Sequence, residues 1–162
     1  MFTDHRGVTL VELVLAIALA GIMIAGLMSA YSSIVGRSAD PMVRNQATVL
    51  AESFLEEALQ KAFLDPVTAS RCPASPGGNR ENFDNVCDFN GYSAASISLP
   101  NGSVVSGLQG YSVSITVSDI SSGELGAVPT QCALKVVVSI TSPLNESIIL
   151  TGYRTNYETA CS

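Results

Sequence analysis

A chain of 162 residues with 47% apolar residues, no Trp and a formal charge of −6 has room for one modest domain besides any membrane segment. Its only lysines are Lys61 and Lys135, so it lacks the clustered cations that a nucleic-acid surface needs to displace phosphate counterions. No nucleic-acid partner is expected.

The first predicted element is an apolar run behind a short polar leader. From Leu13 to Gly36 no residue is charged, which is longer than the roughly 20 residues that carry a helix across a bilayer core. A cleavable secretory signal has a shorter apolar core, about 7 to 15 residues, and ends in a small-residue cleavage site. That reading does not fit, because the run is long and its only abrupt boundary is the Arg6-Gly7 pair in front of it. Glu12 lies just inside the run. At the membrane edge its carboxylate can snorkel, but an acid within a membrane helix is costly and usually has a partner.

Asp40-Pro41 is a helix-start signal, with an N-cap followed by a proline at the first helical position. It predicts an interruption or bend near residues 37–39. Beyond it Val43, Ala47, Leu50, Ala51, Phe54, Ala58 and Ala62 recur at spacings of three and four, the mark of one buried helix face. Glu52, Glu56, Glu57, Gln60 and Lys61 occupy the other faces, and Glu56-Glu57 reads as solvated surface. The stripe is expected to pack on the chain's own sheet rather than to serve as a groove-binding helix. Asp65-Pro66 is the predicted stop, which gives a helix over 41–64.

Residues 67–91 are rich in breakers: Cys72-Pro73, Pro76-Gly77-Gly78 and Asn90-Gly91. The oxygen-bearing set Asp84, Asn85, Asp88 and Asn90 invites a calcium reading, but Val86 interrupts the alternation that an EF-hand loop requires. Side chains capping their own turns account for it better. Residues 97–99 and 103–105 flank Pro100-Asn101-Gly102 as a hairpin. Tyr111, Val113, Ile115 and Val117 alternate with Ser and Thr, Leu134, Val136, Val138 and Ile140 alternate again, and residues 147–157 return after the turn at Pro143-Leu144-Asn145. The expected fold is α+β, a long N-terminal helix with an antiparallel sheet that the helix covers on one face.

Four cysteines, Cys72, Cys87, Cys132 and Cys161, all follow the apolar run. An even count on one side of a membrane suits a disulfide-permissive compartment such as the bacterial periplasm, with the N-terminus on the cytoplasmic side. No C-x-x-C pair exists and the sole histidine, His5, lies in the leader, so a zinc site is disfavoured. Of the three possible connectivities, Cys72 with Cys87 closes a short loop, and Cys132 with Cys161 ties the tail to a strand. No base, nucleophile motif or Gly-rich phosphate loop accompanies them. No enzyme activity, cofactor or metal is expected.

The stretch Arg6-Gly7-Val8-Thr9-Leu10-Val11-Glu12-Leu13 resembles the class III signal of type IV prepilins and pseudopilins. The resemblance makes Gly7 the last leader residue, Val8 the first mature residue and Glu12 the carboxylate four residues further on. It implies cleavage by a prepilin peptidase, methylation of the new N-terminus, and partners among other pilins, an assembly ATPase and a pilus assembly platform. Val8 departs from the family's usual Phe, and Asp4 offsets Arg6 in a leader that is less basic than usual. Many relatives also carry a proline in the apolar half, where this chain has only Gly21 and Gly26 to loosen the helix. In a filament, the amino group of one Val8 would neutralise the Glu12 of a neighbour, sparing two charges that are each costly to bury alone.

The resemblance divides the chain into a leader at 1–7, a transmembrane and filament-core helix at 8–39, and a periplasmic globular domain at 40–162. Three further stretches, A-D-P-M-V-R-N-Q-A, A-E-S-F-L-E-E and R-E-N-F-D-N-V-C-D-F-N-G-Y, are similar to minor pilins of the mannose-sensitive haemagglutinin (MSHA) pilus. That implies a structural subunit for pilus assembly and surface adhesion, held as a single-pass inner-membrane protein and then moved to the pilus at the cell surface. A type II secretion pseudopilin and a membrane-anchored periplasmic binding domain that never polymerises are the alternatives.

Overall fold

The structure, a computed structural model, describes residues 9–157, with the side chains of residues 33–40 excepted. It divides into two units between Pro41 and Met42. One helix, α1 (Leu10–Leu59), runs through that division. Thr9 starts it as a cap, its hydroxyl accepting the Glu12 N–H at 3.3 Å.

The interruption expected from Asp40-Pro41 is not made: Pro41 lies inside α1. Proline removes one backbone hydrogen bond and its ring crowds the preceding turn, a cost of about 3 kcal/mol. Its fixed φ is nevertheless helical, and intact turns on both sides hold the segment. The helix also stops earlier than expected, at Leu59. There the chain pairs with a distant segment: Ala62 donates to the Asp84 carbonyl at 3.3 Å and accepts from the Val86 N–H at 3.0 Å. Those bonds replace the next helical turn. Asp65 then caps a tight turn, its carboxylate accepting the Val67 N–H at 2.9 Å.

The sheet has four antiparallel strands in the order β1 (Ser93–Ala94), β2 (Ser112–Asp119), β3 (Ala133–Thr141) and β4 (Ser147–Thr155). β2 and β3 sit where the alternation predicts them, and β4 ends two residues before the expected Tyr157. The two-residue β1 has no such signal. The predicted hairpin at 97–105 forms around one bridge, Ser98 with Val104, with the Leu99 N–H donating to the Ser103 carbonyl at 2.9 Å and the Val105 N–H to the Ile97 carbonyl at 3.0 Å. Its turn also holds a neighbouring one, the Pro100 carbonyl accepting the Glu81 N–H at 3.0 Å.

The core lies between the sheet and residues 42–59 of α1. Ala47, Ala51, Phe54 and Ala58 are buried against Val113, Ile115, Val136, Val138 and Ile140. Three alanines on the contact face let the helix backbone approach the sheet closely. Gly152 on β4 serves the same approach: a Cβ there would meet Leu59 Cδ1 at 2.8 Å and Leu55 Cδ1 at 3.0 Å. Near the start of this stretch, the Tyr111 hydroxyl donates to Gln46 Oε1 at 2.7 Å and ties β2 to α1.

Candidate functional site

The apolar half of α1 is the first candidate site. Between Leu10 and Ser32 every described side chain is exposed, and the segment is long and apolar enough to cross a membrane. Nothing among the described residues covers Leu10, Val11, Leu13, Val14, Leu15, Ile17 or Leu19. Glu12 sits in the first turn, where the unsatisfied N–H groups and the helix dipole favour a carboxylate. Its side chain is exposed and has no ion-pair partner among the described residues. Gly7 and Val8 lie outside the described residues.

The second region is the loop system clamped onto the end of α1. Cys72 and Cys87 are joined in a disulfide across a separation of 15 residues. Cys132 has no free thiol, and Cys161 lies outside the described residues. Much of the oxygen-rich set at 84–90 is engaged by its own turn, although Asp88 Oδ1 is buried without a hydrogen-bond partner. Asp88 Oδ2 accepts the N–H groups of Asp84 and Asn85 at 3.0 and 3.2 Å, and Asn85 Oδ1 accepts from the Cys87 N–H at 2.8 Å. Asn90 instead reaches the sheet and accepts the Val117 N–H at 3.0 Å. Among the described residues no cluster of His, Cys, Asp or Glu is arranged to hold a metal.

Arg80 is a residue that sequence patterning does not single out. It is 4% exposed and its guanidinium lies 4.5 Å from the Phe54 ring centroid and 5.3 Å from that of Tyr92. Its Nε donates to Glu57 Oε1 at 3.1 Å, Nη1 donates to the Tyr92 hydroxyl at 2.8 Å and Nη2 to the Ser98 carbonyl at 2.9 Å. A buried cation survives only when its donors are met and an opposite charge is close, and here both conditions hold. Glu57 is therefore a structural partner rather than solvated surface. Glu56 beside it faces a cleft of about 460 Å³ whose walls include Leu50, Ser53, Leu99 and Val105.

On the outer side of the sheet, Glu124 pins the β2–β3 loop. Its carboxylate accepts from Lys135 Nζ at 2.7 Å, the Tyr153 hydroxyl at 2.8 Å and the Ser121 N–H at 2.8 Å. The Lys135 hydrogen bond, followed by those from Ser121 and Tyr153, lowers the Glu124 pKa to about 2. Lys135 and Tyr153 are each raised by their own hydrogen bond to Glu124.

With this geometry in place, the comparison with protein families bears on the apolar half of α1. Residues 3–28 match the prokaryotic N-terminal methylation motif. The match takes in Gly7, Val8, Glu12 and most of the exposed apolar stretch, and it supports a type IV prepilin-like chain, a pilin or pseudopilin. That motif implies processing by a prepilin peptidase, assembly with other pilins and membrane anchoring before assembly. Pilins are structural rather than enzymatic proteins. Searches of curated proteins and of solved structures found no significant match.

Proposed function

We propose that the chain is a minor pilin of a type IV pilus of the MSHA type, resembling the D minor pilin of that pilus, which contributes to pilus assembly and surface adhesion. The observation that carries this reading is the uncovered apolar segment of α1, headed by the lone carboxylate of Glu12. A soluble domain has no use for such a segment, whereas a subunit held first by lipid and then by neighbouring helices needs one. In this reading Gly7 is the last residue removed, Val8 becomes the methylated N-terminus, and the Val8 amine of one subunit meets Glu12 of the next.

The test is Glu12→Ala in the full chain. Deleting one side of a buried ion pair costs roughly 3 to 5 kcal/mol, so recovery in sheared pilus fractions should fall at least a hundredfold. Leader removal, read as intact mass with and without prepilin peptidase, should be unchanged. Equal recovery of variant and wild type would leave Glu12 as a helix-start carboxylate only. An N-terminus uncleaved between Gly7 and Val8 would favour an anchored domain that never polymerises.

A further inference from the structure

The cleft at the end of α1 holds a charge that its surroundings leave unanswered. Ser53, Glu56 and Gln60 line it at spacings of three and four, and Leu50, Leu99 and Val105 give it apolar walls. Its volume of about 460 Å³ falls in the range of ligand pockets, about 300 to 1,000 Å³. Glu56 stands in the last turn, at the negative end of the helix dipole, and no basic residue shares that turn. Two cations held beside this end of the helix are committed elsewhere: Arg80 answers Glu57, and Lys61 Nζ donates to the Phe83 carbonyl at 2.6 Å. Glu56 has no ion-pair partner among the described residues. On the 97–105 hairpin, Leu99 and Val104 are 52% and 60% exposed, so the apolar wall continues onto an uncovered rim.

We infer that this cleft docks an extended segment of a different protein, one that presents an arginine to Glu56 and, two residues along, an apolar side chain to Leu99 and Val104. Charge complementarity selects the cation. An unpaired carboxylate at the C-terminal end of a helix, in a chain of formal charge −6, favours a positive group. A guanidinium can meet it with two parallel N–H bonds while the arginine stem lies on Leu50 and Val105. The uncovered rim selects a peptide over a small cationic solute, which would leave Leu99 and Val104 in water. Side chains two apart on an extended segment project to the same side, so one stretch reaches both the carboxylate and the rim. The described cations of this chain favour a different protein over a second copy. Arg71 pairs with Asp119, Lys135 with Glu124 and Arg80 with Glu57. Lys61 and Arg154 donate to backbone carbonyls, and Arg44 lies inside α1, where no extended segment can present it. Docking of this kind needs no polymerisation, so its fate is separate from that of the filament reading.

The experiment titrates the full chain, in an uncharged detergent, into a dye-labelled peptide Gly-Arg-Ser-Leu-Gly with blocked ends, and follows fluorescence anisotropy. Saturable binding is expected. Glu56→Gln, or citrulline in place of the peptide's arginine, should each weaken it about tenfold or more, and the two together no more than either alone. Replacing the peptide's leucine by serine should weaken it about fivefold. Glu52→Gln, on an exposed face outside the cleft, should change it by less than about twofold, and thermal unfolding should be the same for both glutamine variants and wild type. Several outcomes overturn the assignment. No saturable binding up to about 1 mM peptide removes the site. Additive losses in the paired variants break the link between Glu56 and the arginine, and equal losses from Glu52→Gln and Glu56→Gln reduce it to diffuse attraction. Arginine amide binding as tightly as the peptide makes the occupant a small solute. Competition by unlabelled copies of the chain makes it a second copy.

Discussion

The two ends of α1 are one secondary structure with two different sources of stability. Between Leu10 and Ser32 the residues are apolar on every face apart from Glu12 and two serines, and none is buried, so the segment draws no packing from the described residues. Between residues 42 and 59 one stripe is buried on the sheet, and that stripe is mostly alanine. A helix that must fit its own sheet is built for close approach. A helix that must fit a bilayer is built from bulk apolar surface, with little demand for a particular shape. Substitutions in the two stretches should therefore have different consequences for the globular domain.

The largest contrast is expected from paired truncations. Phe54→Ala removes a buried ring that also faces Arg80 and Tyr92, and should cost about 3 to 5 kcal/mol. Leu19→Ala, on the uncovered stretch, should change the same unfolding free energy by less than about 0.5 kcal/mol. Denaturant unfolding of the detergent-solubilised chain, followed by a probe in the sheet, measures both. Similar losses would mean that the apolar stretch shares the domain core, and the contrast would disappear.

A smaller effect sharpens the close-approach argument. Gly152→Ala places a methyl against Leu55 and Leu59, and overpacking of this kind costs about 1 to 3 kcal/mol. Combining it with Leu59→Ala should recover part of the loss. A neutral Gly152→Ala would show that the helix end shifts freely on β4.

The smallest expected effect is local and depends on pH. Glu124 binds its proton less tightly in the folded chain, so its contribution is complete above the ordinary carboxylate value of 4.5 and is lost as pH falls toward about 2. Lys135 and Tyr153 are raised from 10.5 and 10.0, so theirs is complete below those values and is lost as pH rises through the raised ones. Hydrogen exchange of the amides at 121–126, corrected for intrinsic rates, should lose protection below about pH 4.5 before the amides of β3 do. Loss in step with the sheet would show that the loop has no independent opening.

Much of this is legible in the sequence because it is local. The alternation of Val113, Ile115 and Val117 with polar residues marks a strand with one buried face, and the observed register bears it out. The same holds for the stripe from Ala47 to Ala58 and for the oxygen-rich turn at 84–90, whose side chains reach their own backbone. The helix boundaries depart from the local signals at both ends of the second stretch, for one reason. Asp40-Pro41 and Asp65-Pro66 are real local signals, but each biases the backbone by only a few kcal/mol. Helical turns on both sides of Pro41 outweigh the first, and the pairing of Ala62 with the 84–86 segment pre-empts the second. Glu57 reads as surface in the sequence because its partner, Arg80, is 23 residues away.

The sequence by itself determined that this chain has a membrane-length apolar helix with a carboxylate at its mouth and a domain with strand-like alternation in its C-terminal half. Those properties depend on how residues a few positions apart share a face, and composition and period encode that directly. Only the tertiary structure decided where α1 ends, that Arg80 is buried against two rings, that Gly152 of β4 lies beneath Leu55 and Leu59, and that Glu124 ties a loop to two strands. Each of these is a contact between segments far apart in the chain, chosen by strand register and by the need to pair whatever polar groups that register buries.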